Sequence, residues 1–299
     1  MSLLPSDRTR LLACAAAFAG VGFLSLMDAF MKEAALALGA YTATVLRSAA
    51  ATAVIGPLWL LRGASWPSTS VLKLHLERGI ISAFMALSFF FALTKLPLAE
   101  AIAISFIAPL VALYFAKILL GEEIQRAAIL ASLLGFAGTL VIIAGRIGQG
   151  EFDSGTALGI SSLLFSALLY AYNFVVIRRQ SQVAGPLEIA TFHSGIGGLV
   201  LLIFAPFLWQ TPQFSALDEV AAAGILTALG AMAIAWAYAR AEAQTLVPIE
   251  YSGFLWASLF GWLFFSEQVT IPTLAGTALI VTGCWLATRS NRAPAAAQT

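Results

Sequence analysis

Five polar or ionisable residues interrupt long apolar stretches of this 299-residue chain: Asp28, Arg47, Asn173, His193 and Glu250. A charged side chain in the middle of a membrane helix costs about 2.5–3.5 kcal/mol on insertion scales, so each needs a partner or a water-filled cavity. Asp28 and Arg47 have opposite charges and are predicted at similar depth in consecutive helices, so we expect them to pair. Such groups are typical of buried ion pairs, proton transfer and the binding of charged ligands.

An offset of 145 residues relates Asp28 to Asn173 and brings Arg47 to within one residue of His193. Asn173 and His193 are therefore predicted to form a second polar pair, near the opposite face of the membrane. Each pair is interpreted either as a brace that satisfies a buried polar group or as part of a gate. His193 is either a hydrogen-bonded core histidine or a group that couples protons to function.

Glu250 follows Pro248, which loosens the start of its helix and frees backbone carbonyls near the predicted inner face of the membrane. The Glu250 carboxylate is expected either to hold the ammonium group of an amino acid or to pair with Arg240. Both interpretations remain open from the sequence.

Aromatic side chains provide the other candidate ligand contacts. Apolar, aromatic walls with a few polar tips suit a small amphiphilic ligand such as an aromatic or large neutral amino acid. The alternative is that these rings face lipid or anchor helix ends at the membrane interface. The candidate substrate-binding residues are Phe91, Tyr170, Trp236, Tyr251 and Phe254, together with Glu250.

The composition indicates an all-α integral membrane protein. Hydrophobic residues make up 60% of the chain and charged residues 10%, whereas about a quarter of a soluble domain is charged. A net charge of +1 without a basic run predicts no nucleic-acid partner. The two cysteines, Cys14 and Cys284, allow no four-ligand metal site. HExxH and nucleotide-binding glycine loops are absent from the sequence, so neither a metal nor a cofactor is expected.

Ten apolar segments approach the length of about 20 residues that spans a bilayer. Turn and breaker residues such as Gly39, Pro97 and Pro212 separate them. The predicted transmembrane helices cover residues 11–32, 40–61, 76–94, 98–118, 127–146, 156–178, 187–208, 217–239, 246–265 and 271–288.

The chain contains one unit twice. GIISAFMALSFFFALTK at 79–95 reappears as GILTALGAMAIAWAYAR at 224–240, and the same offset aligns Glu122 with Glu267. Each copy contains five predicted helices. Since five is odd, the second copy enters the membrane from the opposite side, so the repeat is predicted to be inverted. Two inverted halves can exchange conformations and open a cavity alternately to each side, which is typical of transporters.

Lysine and arginine placement predicts the orientation, because cytoplasmic loops carry an excess of both. Twelve lie in the predicted inner segments and three, Lys32, Lys95 and Arg146, in the outer segments. Both termini are therefore expected in the cytoplasm. The predicted division is a first repeat at 1–147, an outer connection at 148–154, a second repeat at 155–290 and a cytoplasmic tail at 291–299.

AIAISFIAPLVALYFAKILLGEE at 101–123 has spaced alanines, Pro109 in mid-helix and a glutamate at the helix end. With GFAG at 135–138 and GTALIVTG at 276–283, it resembles the EamA-type transporters of the drug/metabolite transporter superfamily. The chain looks most like the YddG-type aromatic amino-acid exporters. This resemblance implies a basket-like bundle with a central cavity lined by helices 1, 3, 4, 6, 8 and 9. In one departure, the repeat mate of Pro109 is Phe254.

These features together predict a monomeric secondary transporter of the bacterial inner membrane and not an enzyme. Its partners would be the lipid bilayer and a small amphiphilic metabolite, specifically an aromatic or large neutral amino acid. We expect it to move this substrate outward by alternating access.

Two alternatives are weighed against this prediction. A multidrug exporter of the same superfamily would generally need a carboxylate at the membrane midplane, and Asp28 and Glu250 are predicted toward opposite helix ends. Gly159 to Ser162, with His193 on the next helix, superficially resemble the serine loop of an intramembrane protease. However, no His-Asp constellation completes a relay in the sequence.

Overall fold

We describe a computed structural model of the chain over residues 7–63, 65–120, 126–148, 152–180, 182–211, 217–238, 240, 249 and 251–290. These residues form helices, turns and short connections, without a strand among them. The helices are α1 Asp7–Leu38, α2 Ala40–Leu61, α3 Thr69–Leu93, α4 Leu98–Ser105, α5 Ala108–Leu120, α6 Arg126–Gly148, α7 Ser154–Gln180, α8 Pro186–Leu202, α9 Ala205–Leu208, α10 Leu217–Tyr238, α11 Gly253–Phe265 and α12 Ile271–Ser290.

Six spans in the described residues are long and apolar enough to cross a membrane. Four shorter apolar helices lie at Leu133–Gly148, Pro186–Leu202, Gly253–Phe265 and Ile271–Gly283. The prediction of an all-α membrane protein is thereby confirmed, whereas the count of ten crossings stays a prediction.

The first helix is longer than its predicted span of 11–32, because α1 continues to Leu38. Lys32, the last residue of the predicted span, therefore lies inside α1 and is only 5% exposed, while its placement on the outer side of the membrane stays a prediction. Arg146 likewise lies within the last turn of α6. The positions of Lys32 and Arg146 did not locate these helix ends, because both residues pair with acidic side chains within the bundle.

The helices pack in pairs. The 145-residue offset relates each pair either to another pair or to itself. Helix α1 packs on α10 and α3 packs on α7, which are equivalent contacts, while α2 packs on α8 and α6 on α12. Glycines allow the closest of these approaches. A Cβ atom at Gly138 would lie 2.4 Å from the Gly276 carbonyl oxygen, and one at Gly230 would lie 3.1 Å from that of Gly20.

Helix α7 is fixed to α3 by hydroxyl hydrogen bonds as well as by apolar contacts. Ser162 Oγ donates to the Ser88 carbonyl at 2.9 Å, and Ser166 Oγ donates to the Met85 carbonyl at 2.8 Å. Such bonds between helices contribute about 0.6 kcal/mol each in a membrane. The two hydroxyl bonds fix the register of α7 against α3. Helix α3 carries some of the polar residues described below.

Candidate functional site

Two turns, each of which leads into a helix, meet within the bundle. Phe106 lies between α4 and α5, and Tyr251 lies just before α11. Their rings contact each other edge to face, with centroids 5.4 Å apart at an interplanar angle of 88°. Phe106 and Tyr251 are repeat mates at the 145-residue offset, so each copy brings the same position to this junction.

The backbone hydrogen bonds at the two turns are also equivalent. The Ile107 amide donates to the Ile104 carbonyl, as its mate Ser252 does to Ile249. Helices α5 and α11 then begin at the paired positions Ala108 and Gly253. Pro109, which lacks an amide hydrogen, explains the break in the first copy. The second copy has Phe254 at that position and reaches the same backbone arrangement without proline.

Helix α1 passes directly beside this junction. A Cβ atom at Gly253 would lie 3.5 Å from Val21 and 3.9 Å from both Ser25 Oγ and the Phe106 ring. Ser25 is buried, and Phe254 is only 7% exposed. Of the candidate aromatic residues, Tyr251 and Phe254 therefore lie together at the junction with α1.

Asp28 lies one helical turn beyond Ser25 and farther from the end of its helix than predicted. It stands ten residues before the end of α1 at Leu38, which is about 15 Å along the helix. Arg47 of α2 attracts Asp28 electrostatically, but the two form no direct salt bridge. The Arg47 guanidinium lies 5.0 Å from the centroid of the Phe90 ring instead.

A chain of hydrogen bonds, which we call the Glu188 cluster, joins α3, α7 and α8. Arg78 donates to Asn173 Oδ1 at 3.2 Å and to Gln180 Oε1 at 3.1 Å. The Gln180 amide donates to His75 Nδ1 at 2.6 Å, which leaves His75 Nε2 to donate to Glu188 at 2.9 Å. All these side chains except that of Glu188 are buried.

This cluster gives Asn173 a partner that the sequence interpretation missed. Asn173 bonds to Arg78 and not to His193, whose Nδ1 atom is buried without a hydrogen bond. The three-residue spacing of His75 and Arg78, which places both on one face of α3, was the available signal. Their partners are about 100 residues away in the sequence, so no local pattern marks them.

We expect Gln180→Leu to lower the free energy of unfolding by about 1–3 kcal/mol, because Arg78 and His75 would each lose a buried partner. Denaturant unfolding of the purified protein in detergent would measure this change. Gln182→Leu is the matched control, since Gln182 is exposed in the turn after α7. Equal stability of the two variants would contradict a structural role for the cluster.

A second buried polar group, the Glu267 cluster, lies at the opposite end of the bundle. Lys32 forms an ion pair with Glu267 and donates to the Leu96 carbonyl at 2.7 Å. The other Glu267 oxygen accepts the Leu98 amide at 2.7 Å, at the start of α4. Glu100, Arg146 and Thr273 complete the cluster: Glu100 accepts from Arg146 Nε at 2.9 Å and from Thr273 Oγ1 at 3.2 Å.

A cavity of about 590 Å³ opens beside the Glu267 cluster. The end of α1, the start of α2, the end of α3, α7 and α9 form its walls, and Phe91 is among the lining residues. Lys95 lies 6.0 Å from the Phe91 ring centroid. An adjoining cavity of about 380 Å³ is lined by Lys32 and Glu267. Together, the two cavities extend from the Glu267 cluster to the apolar surface around Phe91, which also carries a few polar groups.

The remaining candidate residues lie apart from the junction. Tyr170 and Trp236 are 44% and 40% exposed, which fits the interpretation that aromatic rings face outward. The Arg240 guanidinium lies 4.1 Å from the Trp236 ring centroid and donates to the Trp236 carbonyl. Glu250, Pro248 and Glu122 lie outside the described residues.

The described residues offer no arrangement for metal binding, and the two serines of the protease-like segment form hydrogen bonds to the backbone. No group of three His, Cys, Asp or Glu side chains among them could hold a metal ion. Ser161 Oγ donates to the Ala157 carbonyl and Ser162 Oγ to the Ser88 carbonyl, so both hydroxyls act as packing donors.

Both halves of the chain match one known protein family. Residues 11–144 and residues 157–289 each match the model described as the EamA-like transporter family. The two matched regions fall within the predicted repeats, and they confirm that the chain contains one unit twice.

Several curated proteins are similar over most of this length. The pseudopaline exporter CntI of Pseudomonas aeruginosa is 30% identical over 90% of this chain and 93% of its own. A riboflavin transporter of Brucella anthropi is 26% identical over 75% and 79%, respectively. An S-adenosylmethionine uptake transporter of Rickettsia felis is 23% identical over 86% and 85%.

One solved structure shares the fold. A protein crystal structure superposes with a TM-score of 0.64 over 94% of this chain and 99% of that chain, at 23% sequence identity.

Proposed function

Since the chain belongs to the EamA-like transporter family and is a membrane transporter, we propose that it moves small amphiphilic metabolites by alternating access between two inverted repeats. The narrowest substrate class that we propose is aromatic or large neutral amino acids, moved outward across the bacterial inner membrane. A likeness to YddG-type exporters in particular is part of this proposal.

The helix pairs support inversion of the repeats. Helix α1 contacts α10 as α3 contacts α7, and the last helices of the two repeats, α6 and α12, contact each other. This exchange of partners is expected of two halves related by a two-fold axis. An odd number of crossings in each copy would place that axis in the membrane plane.

The observation that carries the proposal is the pair of equivalent turns at Phe106 and Tyr251. Transporters of inverted-repeat architecture bind their substrates near the midplane, where discontinuous helices from both halves meet. The contact between the repeat mates Phe106 and Tyr251, which pack against the hydrophobic core, supports a substrate site at this junction. The Glu188 and Glu267 clusters, at opposite ends of the bundle, are proposed to close the two sides in turn.

The cavity beside Phe91 supports a ligand of amino-acid size. Its volume of about 590 Å³ lies within the range of about 300–1,000 Å³ found for small-molecule pockets. Leu87 and Phe91 supply apolar surface, while Ser88, Thr94 and Lys95 supply polar groups. We propose that this cavity leads the substrate to or from the junction.

Uptake of labelled phenylalanine into liposomes containing the purified protein tests the proposal. Wild-type protein is expected to accelerate uptake, and Tyr251→Ala to reduce it at least about tenfold, the effect of losing 1.4 kcal/mol of binding. Phe106→Ala should show a similar loss. Phe207→Ala is the control, because Phe207 is 86% exposed. Failure of wild-type protein to move any aromatic or large neutral amino acid would reject this substrate class.

Export of lipophilic cations is the second candidate function. The position of Asp28, about 15 Å from the end of α1, favours it, because this carboxylate lies farther from the helix end than the sequence indicated. The adjacent Arg47 opposes it, since a buried guanidinium repels a cationic ligand. Adding tetraphenylphosphonium to the same liposome assay separates the two functions.

A further inference from the structure

Arg47 carries a guanidinium group with unused hydrogen-bonding capacity. Its Nε atom is buried and has no hydrogen-bond partner. Phe90 covers one face of the group at 5.0 Å, and Asp28 attracts it without forming a salt bridge. A buried donor that lacks a partner costs about 1–3 kcal/mol. A ligand oxygen at this position would remove that cost.

His193 presents a second unsatisfied group to the same region. Its Nδ1 atom is buried without a partner, and it interacts electrostatically with both Arg47 and Arg78. Helix α8 packs closely on α2: a Cβ atom at Gly198 would lie 3.3 Å from Ser48, and one at Gly195 would lie 3.7 Å from Thr52. These two packed helices thus each carry a buried nitrogen atom without a hydrogen-bond partner.

The two arginines of this region differ in their partners. Arg47 and Arg78 both contribute a guanidinium, and the hydrogen-bond partners of Arg78 described above are the neutral amides of Asn173 and Gln180. Asp28 is the acidic group that interacts with Arg47. Arg78 is linked through Gln180 and His75 to the Glu188 carboxylate, whereas Arg47 has no direct salt bridge, so an anionic ligand group would pair with Arg47.

We infer that Arg47 and His193 form a subsite for the carboxylate group of the transported molecule, an inference that rests on the proposed function. Arginine binds planar carboxylates through two parallel N–H donors, which a lysine cannot reproduce. Asp28 then receives the ammonium group of a zwitterion. Ser25 lies one turn away along α1, beside the Phe106–Tyr251 junction, where the apolar side chain of the ligand is held.

Competition with labelled phenylalanine tests this subsite in liposomes. We expect 3-phenylpropionate, which keeps the carboxylate, to inhibit wild-type uptake at a concentration at least about tenfold lower than phenethylamine, which lacks it. Arg47→Gln should raise the KM for phenylalanine at least about tenfold and abolish the difference between the two inhibitors. Arg62→Gln is the matched control, since Arg62 is exposed at the end of α2. Equal inhibition of wild-type protein by both compounds would overturn the inference.

A binding measurement separates this subsite from transport itself. We expect 3-phenylpropionate to raise the melting temperature of detergent-purified wild-type protein but not that of Arg47→Gln. If the Gln variant does not fold, Arg47→Lys and His193→Gln replace it, and both should lose the shift. Binding of 3-phenylpropionate that survives in these variants would reject the subsite. Wild-type protein that binds 3-phenylpropionate but moves no amino acid would reject the proposed substrates and leave the subsite supported.

Discussion

Glu267→Gln should lower the free energy of unfolding by about 3–5 kcal/mol, the usual cost of removing one partner from a buried ion pair. Lys32 would keep its charge in a buried position without its acidic partner, and the Leu98 amide would lose a carboxylate acceptor. Unfolding of the detergent-solubilised protein by increasing SDS would measure the change. We expect transport to fall as well, because Glu267 borders the cavity of about 380 Å³.

Two further variants separate pairing from general sensitivity of α1. Glu33→Gln removes the next charge along the helix, which is exposed, and should leave stability nearly unchanged. Lys32→Met combined with Glu267→Gln should recover part of the loss, since an apolar replacement no longer buries an unpaired charge. Additive losses in the double variant would show that Lys32 and Glu267 do not act as a pair.

Gly138→Ala is expected to destabilise the protein by about 1–3 kcal/mol, the usual cost of overpacking a close contact. The added methyl group would lie 2.4 Å from the Gly276 carbonyl oxygen and 2.7 Å from Ile280, so α6 and α12 would have to separate. The same SDS titration would measure this loss, and Gly138→Leu should give a larger one.

The matched control for Gly138→Ala lies on the same helix. A Cβ atom at Gly148, the last residue of α6, would contact nothing within 4 Å. Gly148→Ala should therefore be neutral or slightly stabilising, because alanine is the better helix former. If both alanine variants were neutral, the close contact between α6 and α12 would not contribute to stability.

Much of the architecture could be predicted because apolar length and internal repetition are properties of the sequence. The glycine-bearing segments at 135–138 and 276–283 resemble the last helices of the two repeats, and the structure packs those helices on each other through Gly138 and Gly276. The end of α1 could not be predicted in this way. Lys32 looks like a residue at the membrane boundary, and its ion pair with the distant Glu267, which offsets the cost of burying the charge, has no signal in the local sequence.

The candidate site was predictable in part. Asp28, Arg47 and His193 stand out in the sequence because charge is rare in apolar segments, and the structure places them within α1, α2 and α8, with the Arg47 Nε and His193 Nδ1 atoms buried. The 145-residue offset pairs Phe106 with Tyr251. This pairing is hard to recognise in the sequence, because Pro109 and Phe254, three residues later, differ. Contacts between helices distant in sequence, such as that of His75 with Glu188, have no local signal.

The glycine contact between α6 and α12 also constrains how the molecule could move. Where Gly138 and Gly276 meet, backbone touches backbone, so no side chain can change rotamer to let the helices slide apart. The rocking of the two halves that we propose for transport would therefore be a rotation about this contact. Substitutions here would then alter the rate of turnover more than the affinity for the transported molecule, although they lie on helices remote from it.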